Sequence, residues 1–127
     1  MGQKPQILVD TDILIRVFRG NTSHKKILDK EENHLTISYV TFLELLSGLK
    51  TKRRVIDFKK QIRAYQLIHI SEAISVQAIE IVSTHTTTAS IKTADALIAA
   101  TTLINNLKLY TDNVSDFDFI KGLKLYK

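Results

Sequence analysis

Three consecutive apolar residues, Ile7, Leu8 and Val9, end abruptly in Asp10, and Ile13, Leu14, Val17 and Phe18 then recur at the spacing of one helix face. A strand that gives way at once to a helix constrains the rest of the chain, because the pattern repeats. Leu35 to Ser38 predicts a second strand, followed by a helix carrying Val40, Phe42, Leu43, Leu45, Leu46 and Leu49. Gly48 and the basic run behind it mark a break, and a further helix is expected from about Arg53 to Tyr65. Leu67 to Ile70 predicts a third strand, with Ser71 capping a helix that holds Ile74, Ala78, Ile79 and Val82. Thr93 is placed to cap the next helix, which runs to Asn105 and Asn106. Leu107 to Thr111 then forms a fourth strand, and Lys124 to Tyr126 a short fifth. Alternation of this kind predicts an α/β fold of three layers, a central parallel sheet of four to five strands covered by helices on both faces.

At 127 residues and 44% apolar content the chain has material for one core, so residues 1–127 are read as a single domain without repeats or linkers. No apolar stretch approaches the roughly 20 residues of a membrane-spanning helix, and MGQKPQ lacks the apolar core of a signal peptide. A cytoplasmic location without membrane contact is expected. The absence of cysteine removes disulfides, thiolate nucleophiles and cysteine zinc sites, so any metal must be held by oxygen or imidazole.

The formal charge of +5 favours a polyanionic partner. Between Lys50 and Arg63 stand Lys50, Lys52, Arg53, Arg54, Lys59, Lys60 and Arg63 against the single acid Asp57. Such a run is either a solvated helix face or a phosphate-contacting surface, with Lys50, Lys52, Arg53 and Arg54 the candidates for phosphate contact.

Parallel sheets place their sites beyond the carboxyl ends of the strands. Asp10 ends the first strand and Asp112 follows the fourth. Asp95 lies in the first turn of its helix, and Glu44 early in the helix after the second strand, so all four belong at that end. Singly, Asp10 and Asp95 could be helix-start residues and Asp112 a turn residue. Glu44 interrupts the apolar run VTFLELL, where a buried charge costs several kcal/mol unless paired or metal-bound. Independent caps have no reason to gather at one end of a sheet.

Like charges so gathered need neutralising, and no matching Lys or Arg stands among the apolar flanks. A hard dication, Mg²⁺ or Mn²⁺, would do it, since it takes oxygen ligands, keeps several waters and suits phosphodiester hydrolysis. His24, His34, His69 and His85 show no ligand spacing, and no glycine-rich phosphate loop is present.

In order and spacing, ILVDTDILI, ISYVTFLELLSGL, TADALIAATTLINNL and LYTDNVSDFDFIKGLKL resemble the four signature segments of PIN-domain nucleases, most closely the VapC-like toxins. The resemblance spans Ile7 to Leu125. It implies that Asp10, Glu44, Asp95 and Asp112 are the catalytic acids, with Asp10, Asp95 and Asp112 ligating the metal. Thr11 and Asp12 match the family's supporting turn, and Thr111 and Asn113 match its TxN element. The fourth acid is either Asp112 or Asp116, which four residues on takes a supporting place if Asp112 is the ligand; the strand-end position favours Asp112. The resemblance further implies a metal-dependent endoribonuclease acting on transfer or ribosomal RNA, a homodimer, and a cognate antitoxin protein whose tail fills the site.

Two other readings compete. ILVDTD also fits the Asp-x-Asp motif of haloacid-dehalogenase-type phosphatases, which leave Glu44 and Asp95 without a role; a receiver domain lacks its phosphoacceptor Asp after the third strand. The non-enzymatic alternative is a catalytically silent RNA-binding or dimerisation module.

Overall fold

The computed structural model describes residues 6–127. Five parallel strands, β1 (Ile7–Val9), β2 (Leu35–Ser38), β3 (Gln66–Ile68), β4 (Lys108–Tyr110) and β5 (Lys124–Leu125), form one sheet in the order β3-β2-β1-β4-β5. Six helices connect them: α1 (Thr11–Phe18), α2 (Thr22–Lys30), α3 (Tyr39–Ser47), α4 (Lys52–Gln61), α5 (Glu72–His85) and α6 (Thr93–Ile104). Among the described residues no helix is long and apolar enough to cross a membrane.

Strand alternation divides the core into two layers. Ile7 and Val9 of β1, with Leu35 and Ile37 of β2, pack beneath Ile13, Leu14, Leu28, Leu45 and Phe58, so α1 to α4 cover one face. Leu8 and Leu109 point the other way, against Ile74, Ala78, Ile81, Ile98 and Ala99 of α5 and α6. The three-layer architecture expected from the sequence is therefore present. Thr36, wholly buried in β2, is tolerated because its hydroxyl donates to the Ile7 carbonyl at 2.9 Å.

Local departures have local causes. Helix α2 was not expected, because TSHKKILDK is polar and buries only Leu28; Asn21 starts it by accepting from the His24 amide at 2.9 Å. Gly20, at φ +100°, supplies the left-handed turn that reverses the chain between α1 and α2. The expected helix from Arg53 to Tyr65 begins at Lys52, capped by Thr51, and tightens into a 3₁₀ turn at Ile62–Ala64. The third strand starts one residue earlier than expected and ends at Ile68. Thr93 does not cap α6; it is the first helical residue, and Lys92 occupies the cap position without a side-chain bond. On α5, Ile79 and Val82 face solvent, and Ile81 is buried in their stead.

The strand order reverses between β1 and β4, with β2 and β3 on one side and β5 on the other. Beyond the carboxyl ends of two such strands the connections diverge and leave a crevice. Asp10 and Thr111 stand at that point, and the Asp10 amide donates to the Tyr110 carbonyl at 2.9 Å.

Candidate active site

Asp10 caps α1 and is buried, at 4% exposure. Its Oδ1 accepts from the Thr11 amide at 2.8 Å and its Oδ2 from the Thr111 hydroxyl at 2.7 Å. Burial foremost, and then the neighbouring Asp12 charge, push its pKa up to about 7 in spite of these two donors. Asp12, half-buried one residue into α1, accepts from the Ile13 amide at 2.8 Å and, through Oδ2, from the Asp112 amide at 3.1 Å. Thr111 is in turn held by the Asn113 amide, which donates to its hydroxyl oxygen at 3.0 Å. The turn after β4 thus grips the first turn of α1 through Thr111, Asp112 and Asn113.

Asp95 lies half-buried in the first turn of α6. Burial raises its pKa most, followed by the charge of Asp116, with Glu44 and Asp12 adding to the rise and only Lys92 opposing it. The charges of Asp12, Glu44 and Asp116, from three other stretches of the chain, therefore reach Asp95.

Glu44 reaches this site for a different reason from the one expected. In α3 the buried positions are Thr41 and Leu45, and the helical turn carries Glu44 to the exposed side with Leu43. No burial cost singles it out. What ties it to the site is Thr11, whose hydroxyl donates to Glu44 Oε1 at 2.7 Å. The Thr11 oxygen also lies 2.9 Å from the Thr41 hydroxyl, and Ser38 donates to Thr41 at 3.3 Å. Thr11 has one hydroxyl proton, and the carboxylate can only accept, so the chain of donors runs from Ser38 through Thr41 and Thr11 to Glu44.

Asp112 has other company. Its Oδ2 accepts from the Arg16 guanidinium and, at 2.8 Å, from His24 Nε2. The other ring nitrogen of His24 meets the Tyr110 hydroxyl. Burial first, and then Asp112, push the Tyr110 phenol up to about 12, so it keeps its proton. Arg16 and Lys92 correct the expectation that these acids have no basic neighbours. Arg16, His24, Ser38 and Thr41 are not evident as site residues from the sequence; Arg16, one helical turn beyond Asp12 on α1, carries the one detectable signal.

Lys50, Lys52, Arg53 and Arg54 are all exposed in and before α4, with Arg53 paired to Asp57 at 3.3 Å. Among the described residues, no three His, Asp or Glu side chains form a compact metal cage.

Residues 7–120 match the family model described as PIN domain. The chain is 31% identical over 121 residues to Ribonuclease VapC10 of Mycobacterium tuberculosis, covering 93% of this chain and 90% of the relative. It is 30% identical over 129 aligned positions to Ribonuclease VapC1 of Methanocaldococcus jannaschii, covering 98% and 89%. Among solved structures, a toxin-antitoxin complex from Klebsiella pneumoniae superposes with a TM-score of 0.81 at 29% identity, covering 93% of this chain and 95% of the other. A DNA-bound VapBC structure from Salmonella typhimurium gives a TM-score of 0.86 at 16% identity, covering 96% and 97%, which speaks for the fold alone. These likenesses leave no place for the phosphatase or receiver readings, and with the match over residues 7–120 they establish that the chain belongs to the PIN-domain family.

Proposed function

We propose that this chain is an endoribonuclease of the VapC kind, hydrolysing RNA phosphodiesters with Mg²⁺ or Mn²⁺ held by Asp10, Asp95 and a fourth acid. The observation that carries the reading is the state of Asp10 and Asp95. Both are carboxylates whose charged forms are opposed by burial and by neighbouring acids, and Lys92, beside Asp95, is the one cation that works against the rise. An all-oxygen donor set of this kind suits a hard dication, and charge neutralisation would relieve the repulsion. When bound, the ion supplies an acidified water and neutralises charge developing on the phosphate.

The chain's own residues do the rest. Thr111 and the Thr11 amide fix the two oxygens of Asp10, and Asp12 is held by the Ile13 and Asp112 amides. Glu44 is oriented through Oε1 by Thr11, which leaves Oε2 to align a water or take its proton. For the fourth acid we favour Asp116 over Asp112, reversing the preference drawn from strand-end position. Asp112 Oδ2 is occupied by Arg16 and His24, whereas Asp116 is the acid that most raises Asp95.

The substrate proposed is transfer or ribosomal RNA, with Lys50, Lys52, Arg53 and Arg54 contacting phosphates. A cognate antitoxin presenting Arg or Lys to the acids is the proposed protein partner, supported by the toxin-antitoxin complex that the fold matches. A homodimer is proposed through α5, where Val76, Ile79 and Val82 stand exposed at three-residue spacing.

Single-turnover cleavage of a natural RNA pool with Mg²⁺ or Mn²⁺, on variants with native circular dichroism, tests the reading. Asp10→Asn, Asp95→Asn and Asp116→Asn should lose metal binding and most cleavage, and Asp112→Asn should lose much less. Wild-type cleavage by Asp10→Asn and Asp95→Asn would end the nuclease reading. RNA bound but left intact by wild type with metal present would favour a silent binding module.

A further inference from the structure

Asp112 occupies a position from which the cap acid of α1, Asp10, and its first-turn acid, Asp12, are both controlled. Its own amide donates to Asp12 Oδ2 at 3.1 Å, and the preceding residue, Thr111, donates to Asp10 Oδ2 at 2.7 Å. The placement of the Thr111–Asp112 backbone therefore sets where two carboxylate oxygens lie. Between the end of β4 at Tyr110 and the 3₁₀ turn at Val114 the Asn113 amide ties Thr111 locally, and the Asp112 side chain is held from outside the segment.

The holding contacts come from the first two helices. Arg16 on α1 and His24 on α2 both donate to Asp112 Oδ2. A carboxylate has no proton to give, so His24 Nε2 is the donor whichever protonation state the ring adopts. The opposite ring nitrogen faces the Tyr110 hydroxyl, and the two rings meet edge-on with centroids 5.6 Å apart. His24 thereby spans from the last residue of β4 to the second residue after it, and both ring nitrogens have partners. The side chain is sheltered, at 15% exposure, and the Asn21 cap fixes the start of α2 on which it is carried.

We infer that Arg16 and His24 form a clamp on Asp112, and that Asp112 and His24 are positioning residues which hold Asp10 in ligating geometry and Asp12 in its supporting place beside it. The inference rests on the nuclease reading of the acids, and concerns what aligns them. Residues that hold a metal's ligands in place commonly change affinity or activity 10- to 100-fold when removed.

Paired substitutions of His24 separate the clamp from simple packing. The amide nitrogen of Gln falls near the position of Nε2, so His24→Gln can still donate to Asp112. That of Asn falls near Nδ1, so His24→Asn can meet Tyr110 but not Asp112. Mn²⁺ affinity is measured by calorimetry, and kcat and KM by cleavage of a single-stranded RNA. His24→Asn should lower Mn²⁺ affinity and kcat by about tenfold or more with KM for RNA little changed. His24→Gln should recover most of both, and Tyr110→Phe, which keeps the ring, should show a smaller loss in the same direction as His24→Asn. Asp112→Asn, whose carbonyl can still accept from the clamp, should bind Mn²⁺ within a few-fold of wild type. The clamp is overturned if His24→Asn binds Mn²⁺ and cleaves like wild type. It is equally overturned if the Gln and Asn variants, both folded, are impaired alike, or if Asp112→Asn abolishes Mn²⁺ binding as removal of a ligand would. Failure of wild type to bind Mn²⁺ or cleave RNA would instead strike the nuclease reading itself.

Discussion

Asp10 combines almost complete burial with a neighbouring like charge, and that combination makes the protein's stability depend on pH in an unusual direction. Its pKa stands at about 7 against an ordinary 3.8. As pH rises from about 4 the unfolded chain gives up this proton while the folded chain keeps it, so the folded state loses relative stability until pH passes about 7. At 1.36 kcal/mol per pKa unit the loss reaches at most about 4 kcal/mol. Asp95, raised for the same reasons, adds to it. Urea unfolding in EDTA should therefore show wild type weakening relative to Asp10→Asn between pH 4 and 7.5, and millimolar Mg²⁺ should oppose the trend. A difference that stays flat across this window would mean that Asp10 is not held in its protonated form. Asp10 and Asp95 were legible in the sequence because a strand end and a first helical turn fix their place before any packing is known. Glu44 was found on a wrong premise, since its neighbours are apolar while its own helical position is exposed. His24 was illegible because its partner lies 88 residues away in the chain, and Arg16, whose partner lies 96 away, showed only its one-turn spacing from Asp12.

Strands and helices were readable where burial is periodic, and unreadable where it is not. The alternation of Ile7, Leu8 and Val9 between the two cores, and the Ser71 cap on α5, follow directly from residue types. Helix α2 could not be read in this way, since Leu28 is its one buried residue and a side-chain cap on Asn21 carries its start. Yet α2 delivers His24 to the site, so an element with little apolar signal has a large structural consequence. Helix α4 poses the opposite question, for its signal is charge. Lys52, Arg53, Arg54, Lys59 and Lys60 are exposed around a single anchoring Phe58. If α4 meets phosphates, Arg53→Ala together with Arg54→Ala should weaken RNA binding and flatten its salt dependence by roughly 0.7 log units for each phosphate no longer neutralised on a single strand. Fluorescence anisotropy across a salt series reads both quantities, and an unchanged slope would return α4 to a merely solvated face.

Among the described residues several large apolar side chains stand outside both cores, and three of them share one helix, α5. The helices on one face of the sheet enclose Phe58, Leu45 and Leu28, but on the other α5 buries Ile74, Ala78 and Ile81 and turns Val76, Ile79 and Val82 outward at 60%, 67% and 38% exposure. A groove between α5 and α6 continues this surface, lined by Ala78, Ile79, Val82, Ala96 and Leu97. Contiguous exposed apolar patches of this kind mark association surfaces. A second copy related by a two-fold axis would bury every such residue twice, and each fully buried isoleucine or valine contributes about 1.5–3 kcal/mol. The groove is lined in part by Thr93 and Ala96 of α6, the helix that also carries Asp95, so pairing through it would also brace the helix that carries an active-site acid. Ile79→Asp places a charge at the centre of the patch without touching either core. Sedimentation velocity should find wild type dimeric at micromolar concentration and Ile79→Asp monomeric, with native circular dichroism in both. An Ile79→Asp protein that still sediments as a dimer would move the interface elsewhere, and a wild type that is monomeric throughout would refute the homodimer.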